Sequence, residues 1–167
     1  MRIRIKDKNR IPAVIKKVEE FNGQAMHIGV LEEGEMGMIA SVQEYGVKIQ
    51  VTPKMRGFLA SRGLHLKKTT THITIPERSY IRAGWDENEK DMMDRAEQFI
   101  KQAITGGVSV DAVMDALGQE GRDRIRDFAV DLKDPANHPF TIEQKNGKSN
   151  PLVDSGGLIE AITYKIL

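Results

Sequence analysis

The stretch Asn150-Pro-Leu-Val-Asp-Ser-Gly-Gly-Leu-Ile-Glu-Ala-Ile-Thr-Tyr-Lys-Ile-Leu167 decides the fold. It has three parts. A Pro-led extended lead-in reaches Asp154 and Ser155, whose side-chain oxygens can accept hydrogen bonds from the free N–H groups of a helix's first turn. A short apolar turn through Leu158 follows, and Ile162-Thr-Tyr-Lys-Ile166 then alternates apolar and polar residues with the period of a strand. The expectation is a capped helical turn feeding a C-terminal strand, with Asp154 and Ser155 as the structural cap. One strand alone leaves its backbone groups unpaired, so the upstream chain must supply the rest of the sheet and its cover.

Two long helices precede that unit. Ser109 is placed to cap the nearer one, whose apolar stripe runs Val110, Val113, Met114, Leu117, Ile125, Phe128, Ala129 and Leu132, with Asp134-Pro135 as its stop. Gly118 and Gly121 fall inside it, each costing roughly 1 kcal/mol relative to Ala, and so mark a bend or a close approach. In the farther helix Asp86 caps, Glu87, Glu89 and Asp91 complement the positive N-terminal end, and Met92, Met93, Ala96, Phe99, Ile100 and Ala103 form the buried stripe up to Gly106-Gly107. Before it, Ile75-Pro-Glu-Arg-Ser-Tyr-Ile-Arg-Ala-Gly84 reads as irregular, with Pro76 holding Ile75 extended. Residues 137–150 read as a polar, turn-rich approach to the C-terminal unit.

Residues 47–74 form an extended β-excursion, or insertion. Lys48-Ile-Gln-Val-Thr52 and His72-Ile-Thr-Ile75 alternate as strands around a short helix at 53–61 and the polar run Lys67-Lys-Thr-Thr-Thr71. That run is poor in apolar residues and is expected to face solvent or a partner. Farther upstream, 36–45 reads as a helix stopped by Gly46 and 25–31 as a buried strand. An amphipathic helix starts at Asn9-Arg-Ile-Pro12 and closes at Asn22-Gly23, and residues 2–6 alternate as an opening strand. The fold class is therefore α+β. A mixed or antiparallel sheet packs against two longer helices, with a long β-excursion and a C-terminal strand, in a single domain over 1–167.

Composition narrows the chemistry. The chain has 167 residues and no cysteine, which excludes disulfides and thiolate metal sites. Its 25 basic and 24 acidic residues nearly cancel, which disfavours a surface built mainly to grip phosphate backbone. The basic N-terminus lacks an apolar signal region and no stretch is long enough to span a membrane, so the expected site of synthesis and residence is a cytoplasm. Aromatics are only 5%, so the core must lean on Ile, Val, Leu and the eight Met.

Asp154-Ser155-Gly156-Gly157 matches the letters around a trypsin-like nucleophile. That chemistry needs a histidine base, here His138, and a two-barrel scaffold that this helical chain is too short to form. The helix-cap reading is preferred. His27, His65, His72 and His138 are scattered without metal-type spacing, and His27, in an apolar strand, reads as a core histidine. No metal, cofactor or catalytic residue is expected. Lys67 and Lys68 with Arg78 and Arg82 would touch phosphates only if brought together, and no interleaved aromatics offer base stacking. A nucleic-acid-binding module using the Lys67-Lys68 excursion is the alternative reading.

Three segments resemble, in order and approximate spacing, the small neck and tail-completion proteins of tailed bacteriophages, a family that includes virion morphogenesis, minor tail and head–tail joining proteins. Val42-Gln-Glu-Tyr-Gly46 is similar to the family's helix-ending "hEfG", and Ile75-Pro-Glu-Arg-Ser-Tyr-Ile-Arg-Ala83 to its "iPaRPFlrpA". Leu152-Val-Asp-Ser-Gly156, with Leu158 and Ile162-Thr-Tyr164, is similar to its "LvDTGrL..SitY". The resemblance covers most of the chain from about Met36 onward. Ser79 stands where the family usually has proline, Gly157 where a basic residue is common, and 47–74 is an insertion relative to shorter members. The resemblance implies a non-enzymatic subunit of a self-assembled ring, a hexamer among the options, around a channel at the head–tail junction or the head-proximal tail end. Its implied neighbours are tail-tube, tail-terminator or neck and connector proteins, with DNA only as transient cargo and no membrane. The implied location is the virion, assembled in the host cytoplasm. Lys67, Lys68, Arg78, Tyr80 and Arg82 are then the candidate interface residues.

Overall fold

In the computed structural model, residues 9–167 are described; the strand read at residues 2–6 lies outside them. The C-terminal unit forms as expected. Helix α7 (Gly157–Ala161) runs into strand β4 (Ile162–Ile166), which pairs antiparallel with β1 (Met26–Val30), placing Ile162 opposite Val30 and Tyr164 opposite Ile28. Alternation then sorts the side chains by face. Ile28, Val30, Ile162 and Tyr164 share the inner face, whereas His27, Thr163 and Lys165 are exposed on the outer one. His27 is therefore not a core histidine: its even-numbered neighbours take the buried face and period two sends its imidazole to solvent.

The inner face packs against α5 (Val110–Asp131), which forms a helical hairpin with α4 (Tyr80–Gly106) across the left-handed Gly107. Ser109 caps α5 as expected, its Oγ accepting from Ala112 N–H at 3.2 Å. Gly118 and Gly121 are the points of closest approach. A Cβ on Gly118 would lie 2.2 Å from Tyr164 Cδ2, and one on Gly121 would lie 2.5 Å from Ile28 Cδ1. Losing helix propensity at both positions lets the two strands lie directly on the helix backbone. Around this seam Ala40, Tyr80, Ile125, Ala129, Leu152, Leu158 and Ile162 make one buried cluster. Tyr80 and Ile162 are fully enclosed.

Helix α2 (Glu35–Tyr45) leads through Gly46 into the excursion, where β2 (Val47–Gln50) pairs antiparallel with β3 (His72–Ile75). Between them α3 (Pro53–Ser61) starts on Pro53 behind Thr52, whose Oγ1 accepts from Met55 N–H at 3.1 Å. Arg56 holds the polar run in place: its guanidinium donates to the carbonyls of Leu66 (3.0 Å), Lys67 (2.9 Å) and Thr70 (2.7 Å). The two pairings make two separate antiparallel ribbons rather than one continuous sheet.

Two local readings change. Helix α4 begins at Tyr80, so of the segment read as irregular residues 76–79 are, while Tyr80 to Gly84 are helical and Asp86 is not the cap. The polar approach contains a short helix, α6 (Pro139–Gln144), capped by His138 Nδ1, which accepts from Phe140 N–H at 3.2 Å. The amphipathic N-terminal helix α1 (Ile11–Phe21) buries none of its residues, and Ile11 and Ile15 remain 66% and 52% exposed. Among the described residues no helix is long and apolar enough to cross a membrane.

Gly118→Ala is expected to lower stability by about 1–3 kcal/mol despite its better helix propensity, because Tyr164 cannot retreat from a new methyl without unseating β4. Gly57→Ala in α3, which meets open space, should gain up to about 1 kcal/mol. Urea midpoints of the two variants test this, and a gain at Gly118 would refute the contact.

Candidate interaction site

The last turn of α2 turns Glu44 inward, where it is only 3% exposed. Its carboxylate accepts from the N–H groups of Ile81 (2.9 Å) and Arg82 (3.2 Å), the second and third residues of α4, and from Arg82 Nε at 2.9 Å. The residue at the usual cap position, Ser79, sits at φ 34 and ψ 37 and makes no side-chain cap bond. Glu44 thus caps α4 from another helix, its charge matched by free N–H groups, the positive helix end and a guanidinium. Arg82 also donates to the Glu44 carbonyl (3.2 Å) and to Glu77 Oε1 (2.7 Å), and lies 4.8 Å from the centre of the Tyr45 ring. Its hydrogen bond to Glu44 holds the Arg82 guanidinium above the usual arginine range.

The strand of chain around Arg78 runs alongside the end of α2. Arg78 N–H donates to Gln43 O at 2.8 Å and Ser79 N–H to Glu44 O at 3.2 Å. Gly46 allows the approach: at φ +67, a Cβ there would lie 2.7 Å from Glu77 N. Arg78 itself is buried. It donates to Pro135 O (3.0 Å), Asn137 Oδ1 (3.1 Å) and Gln43 Oε1 (2.5 Å), and burial pushes its pKa down. Tyr80 is wholly enclosed, and its hydroxyl has no hydrogen-bond partner among the described residues. Burial, then the nearby Glu44 charge, pushes that phenol up.

Arg78 and Tyr80 therefore do not present their side chains at the surface. Their polarity suggests exposure, but Arg78 finds acceptors on the loop at 135–137 and Tyr80 fills the core as the first residue of α4. Of the five candidate interface residues, Lys67 and Lys68 stand exposed on the excursion and Arg82 is half-exposed at its base. Lys67 and Lys68 belong to the distal loop held by Arg56, and Arg82 belongs to the buried frame.

The structural cap also changes. Gly156, at φ +100, occupies the cap position of α7, and no side chain caps that helix. Ser155 Oγ lies 3.4 Å from Gly157 N, while Asp154 is exposed and contributes its backbone carbonyl to Lys148 Nζ at 2.7 Å. Asn150 does the work assigned to Asp154: its Oδ1 accepts from the N–H groups of Leu152 and Val153, both at 2.8 Å. The Asn-Pro pair was the available signal for such a turn.

The histidines at 27, 65, 72 and 138 are all exposed, and no group of three or more His, Asp or Glu among the described residues is arranged to hold a metal. Ser155 and His138 make no hydrogen bond to each other; each is engaged by a neighbouring backbone N–H. Comparisons with protein-family models, curated proteins and solved structures return no match to this chain.

Glu44→Ala should cost about 2–4 kcal/mol, because it strips α4 of its cap and leaves buried N–H groups unpaired; thermal and urea unfolding measure this, and a loss below 1 kcal/mol would mean that the cap is not needed. Tyr80→Phe should be neutral or stabilising near neutral pH, since it deletes a buried hydroxyl without a partner. The sign at alkaline pH follows from the raised pKa. Above about pH 10 the unfolded phenol ionises while the folded one keeps its proton, so wild-type stability falls as pH rises. Tyr80→Phe should show a smaller fall between neutral and alkaline pH in denaturant titrations.

Proposed function

We propose that the chain is a structural virion-assembly subunit of a tailed bacteriophage, acting at the head–tail junction or the head-proximal end of the tail as a neck or tail-completion protein. One observation carries this reading: the three segments that resemble that family, far apart in sequence, meet in one place. Gln43 and Glu44 accept hydrogen bonds from the segment from Arg78 to Arg82, Gly46 lets the chain at Glu77 approach closely, and Gln43 shares a cavity wall with Asp154–Leu158. Residues that resemble a family motif and also interlock physically explain why such motifs would occur together.

The exposed features suit contact with other subunits. Tyr45 and Phe58 are 63% and 56% exposed, each with an arginine over its ring, Arg82 and Arg62 respectively. Exposed aromatics paired with arginine are the residue types that dominate interface energetics. Closing copies into a ring requires complementary patches on opposite flanks, and the excursion supplies a projecting one. Near-neutral charge suits a conduit through which DNA passes without being retained.

The test is a phage in which this gene is silenced and then complemented. Silencing should leave unjoined heads and tails in negative-stain images. Complementation with Phe58→Asp, a surface change that spares the fold, should lower the yield of joined particles on the order of tenfold. Joined particles in normal yield without the protein would refute the proposal. Salt-sensitive binding of the isolated protein to duplex DNA at physiological ionic strength, lost when Lys67 and Lys68 are changed to Glu, would instead support the nucleic-acid reading.

A further inference from the structure

Two cations are buried near each other, and neither is held by a salt bridge among the described residues. Lys145, at the end of α6, is only 9% exposed, and Arg78 only 6%. The Lys145 ammonium donates to one backbone carbonyl, Asn150 O, at 2.7 Å. Arg78 donates only to neutral oxygens, those of Pro135, Gln43 and Asn137. A buried charge without a salt-bridge partner is costly unless hydrogen bonds or a bound counter-charge offset its desolvation.

Beside them opens a cavity of about 280 Å³ lined by Lys145 and by the side chains that also bind Arg78. Its polar lining comprises one carboxylate residue, Asp154, and the potential donors Lys145, Gln43, Asn137, Thr141 and Ser155. The Lys145 ammonium makes one hydrogen bond among the described residues, and the Thr141 hydroxyl and Gln43 amide nitrogen, which reach solvent, make none there. Gln43 gives its carbonyl oxygen to Arg78, which leaves the amide end as a donor. The Ser155 oxygen is approached by Gly157 N–H at 3.4 Å, so its own O–H is also available. Met36, Ile39 and Leu158 supply apolar walls.

We propose that this cavity binds a single carboxylate group on a short aliphatic stem, with the Lys145 ammonium as its charge partner and Thr141, Ser155 and Gln43 as hydrogen-bond donors. The apolar walls favour a carboxylate with a short hydrocarbon chain over a hydrated phosphate, which would lose water on those walls without compensation. The surrounding charges are net positive. Arg78, Lys145 and Lys148 outnumber the one carboxylate, that of Asp154, which lines the cavity and is open to solvent. Burial lowers the Lys145 pKa; Asp154 opposes this, and Arg78 and Lys148 add to it. A bound carboxylate would reverse that shift.

Sodium butyrate is the probe, titrated calorimetrically into the full chain at constant ionic strength against sodium chloride and inorganic phosphate. Saturable binding in the millimolar range is expected for butyrate. Lys145→Met should weaken it by about tenfold or more, the worth of one charge-assisted hydrogen bond. Thr141→Val, which keeps the ammonium in place, should weaken it several-fold and serves if the methionine variant does not fold. The Lys145 ammonium NMR signal should shift with the same saturation, and its pKa should rise. Sedimentation separates the sources of the group. Butyrate that dissolves a self-associated form points to an acidic side chain of a second copy, whereas binding to an unchanged monomer points to a free carboxylate, and both support the site. No saturable binding by folded wild type, binding unaltered in Lys145→Met and Thr141→Val, or phosphate binding as tightly as butyrate would overturn it.

Discussion

The carboxylate of Glu44 is the constraint on which the rest of the structure depends. A helix as long as α4 has free N–H groups at its start, and the residue in the cap position, Ser79, is left-handed and gives them nothing. Glu44 closes that gap from 37 residues earlier in the chain. In doing so it fixes three things together: where α2 ends, where α4 begins, and how the two legs of the excursion come together between them. The buried charge is tolerable because N–H groups and the Arg82 guanidinium surround it, and Arg82 is itself restrained by Glu77 and the Tyr45 ring.

The α4–α5 hairpin then serves as a platform. The β1–β4 ribbon lies on α5 over Gly118 and Gly121, and on the neighbouring helix Gly84 admits the Phe128 ring, whose Cγ would be 3.2 Å from an added Cβ. Small residues at these crossings exchange local helix propensity for closer layers, and the dispersion gained over the whole seam offsets the local loss. The Arg124 guanidinium on α5 donates across to Asn88 Oδ1 on α4 and is steadied by Glu120 one turn back on its own helix.

What was legible in the sequence was what acts over a few residues. Period-two alternation located β2, β3 and β4, helical stripes located α5 and most of α4, Ser109 announced its own cap, and the two glycines inside α5 signalled the close approach that Tyr164 and Ile28 make. Illegible were the interactions set by tertiary proximity. The start of α4 was hidden because its cap comes from α2, and Arg78 looked like a surface residue because the acceptors that bury it lie on a loop at 135–137. Lys145 gave no signal for the same reason: only folding reveals that its neighbours supply a single carbonyl. The Asp154-Ser155 cap failed differently. The residue types were right, but Asn150 had already organised the turn and Gly156 took the cap position.

The excursion is tied to the body chiefly at its root. Arg56 binds its distal loop back onto α3, so loop, helix and ribbon have few internal freedoms of their own. Both legs enter beside the same interlocked residues, at Gly46 and Ile75, next to Glu44 and Arg78. Held there, and by a single hydrogen bond from Arg62 to Gln144 on α6, such an arm would act as a lever with its fulcrum at the helix cap, and a load at its far end would reach the first turn of α4 as a torque.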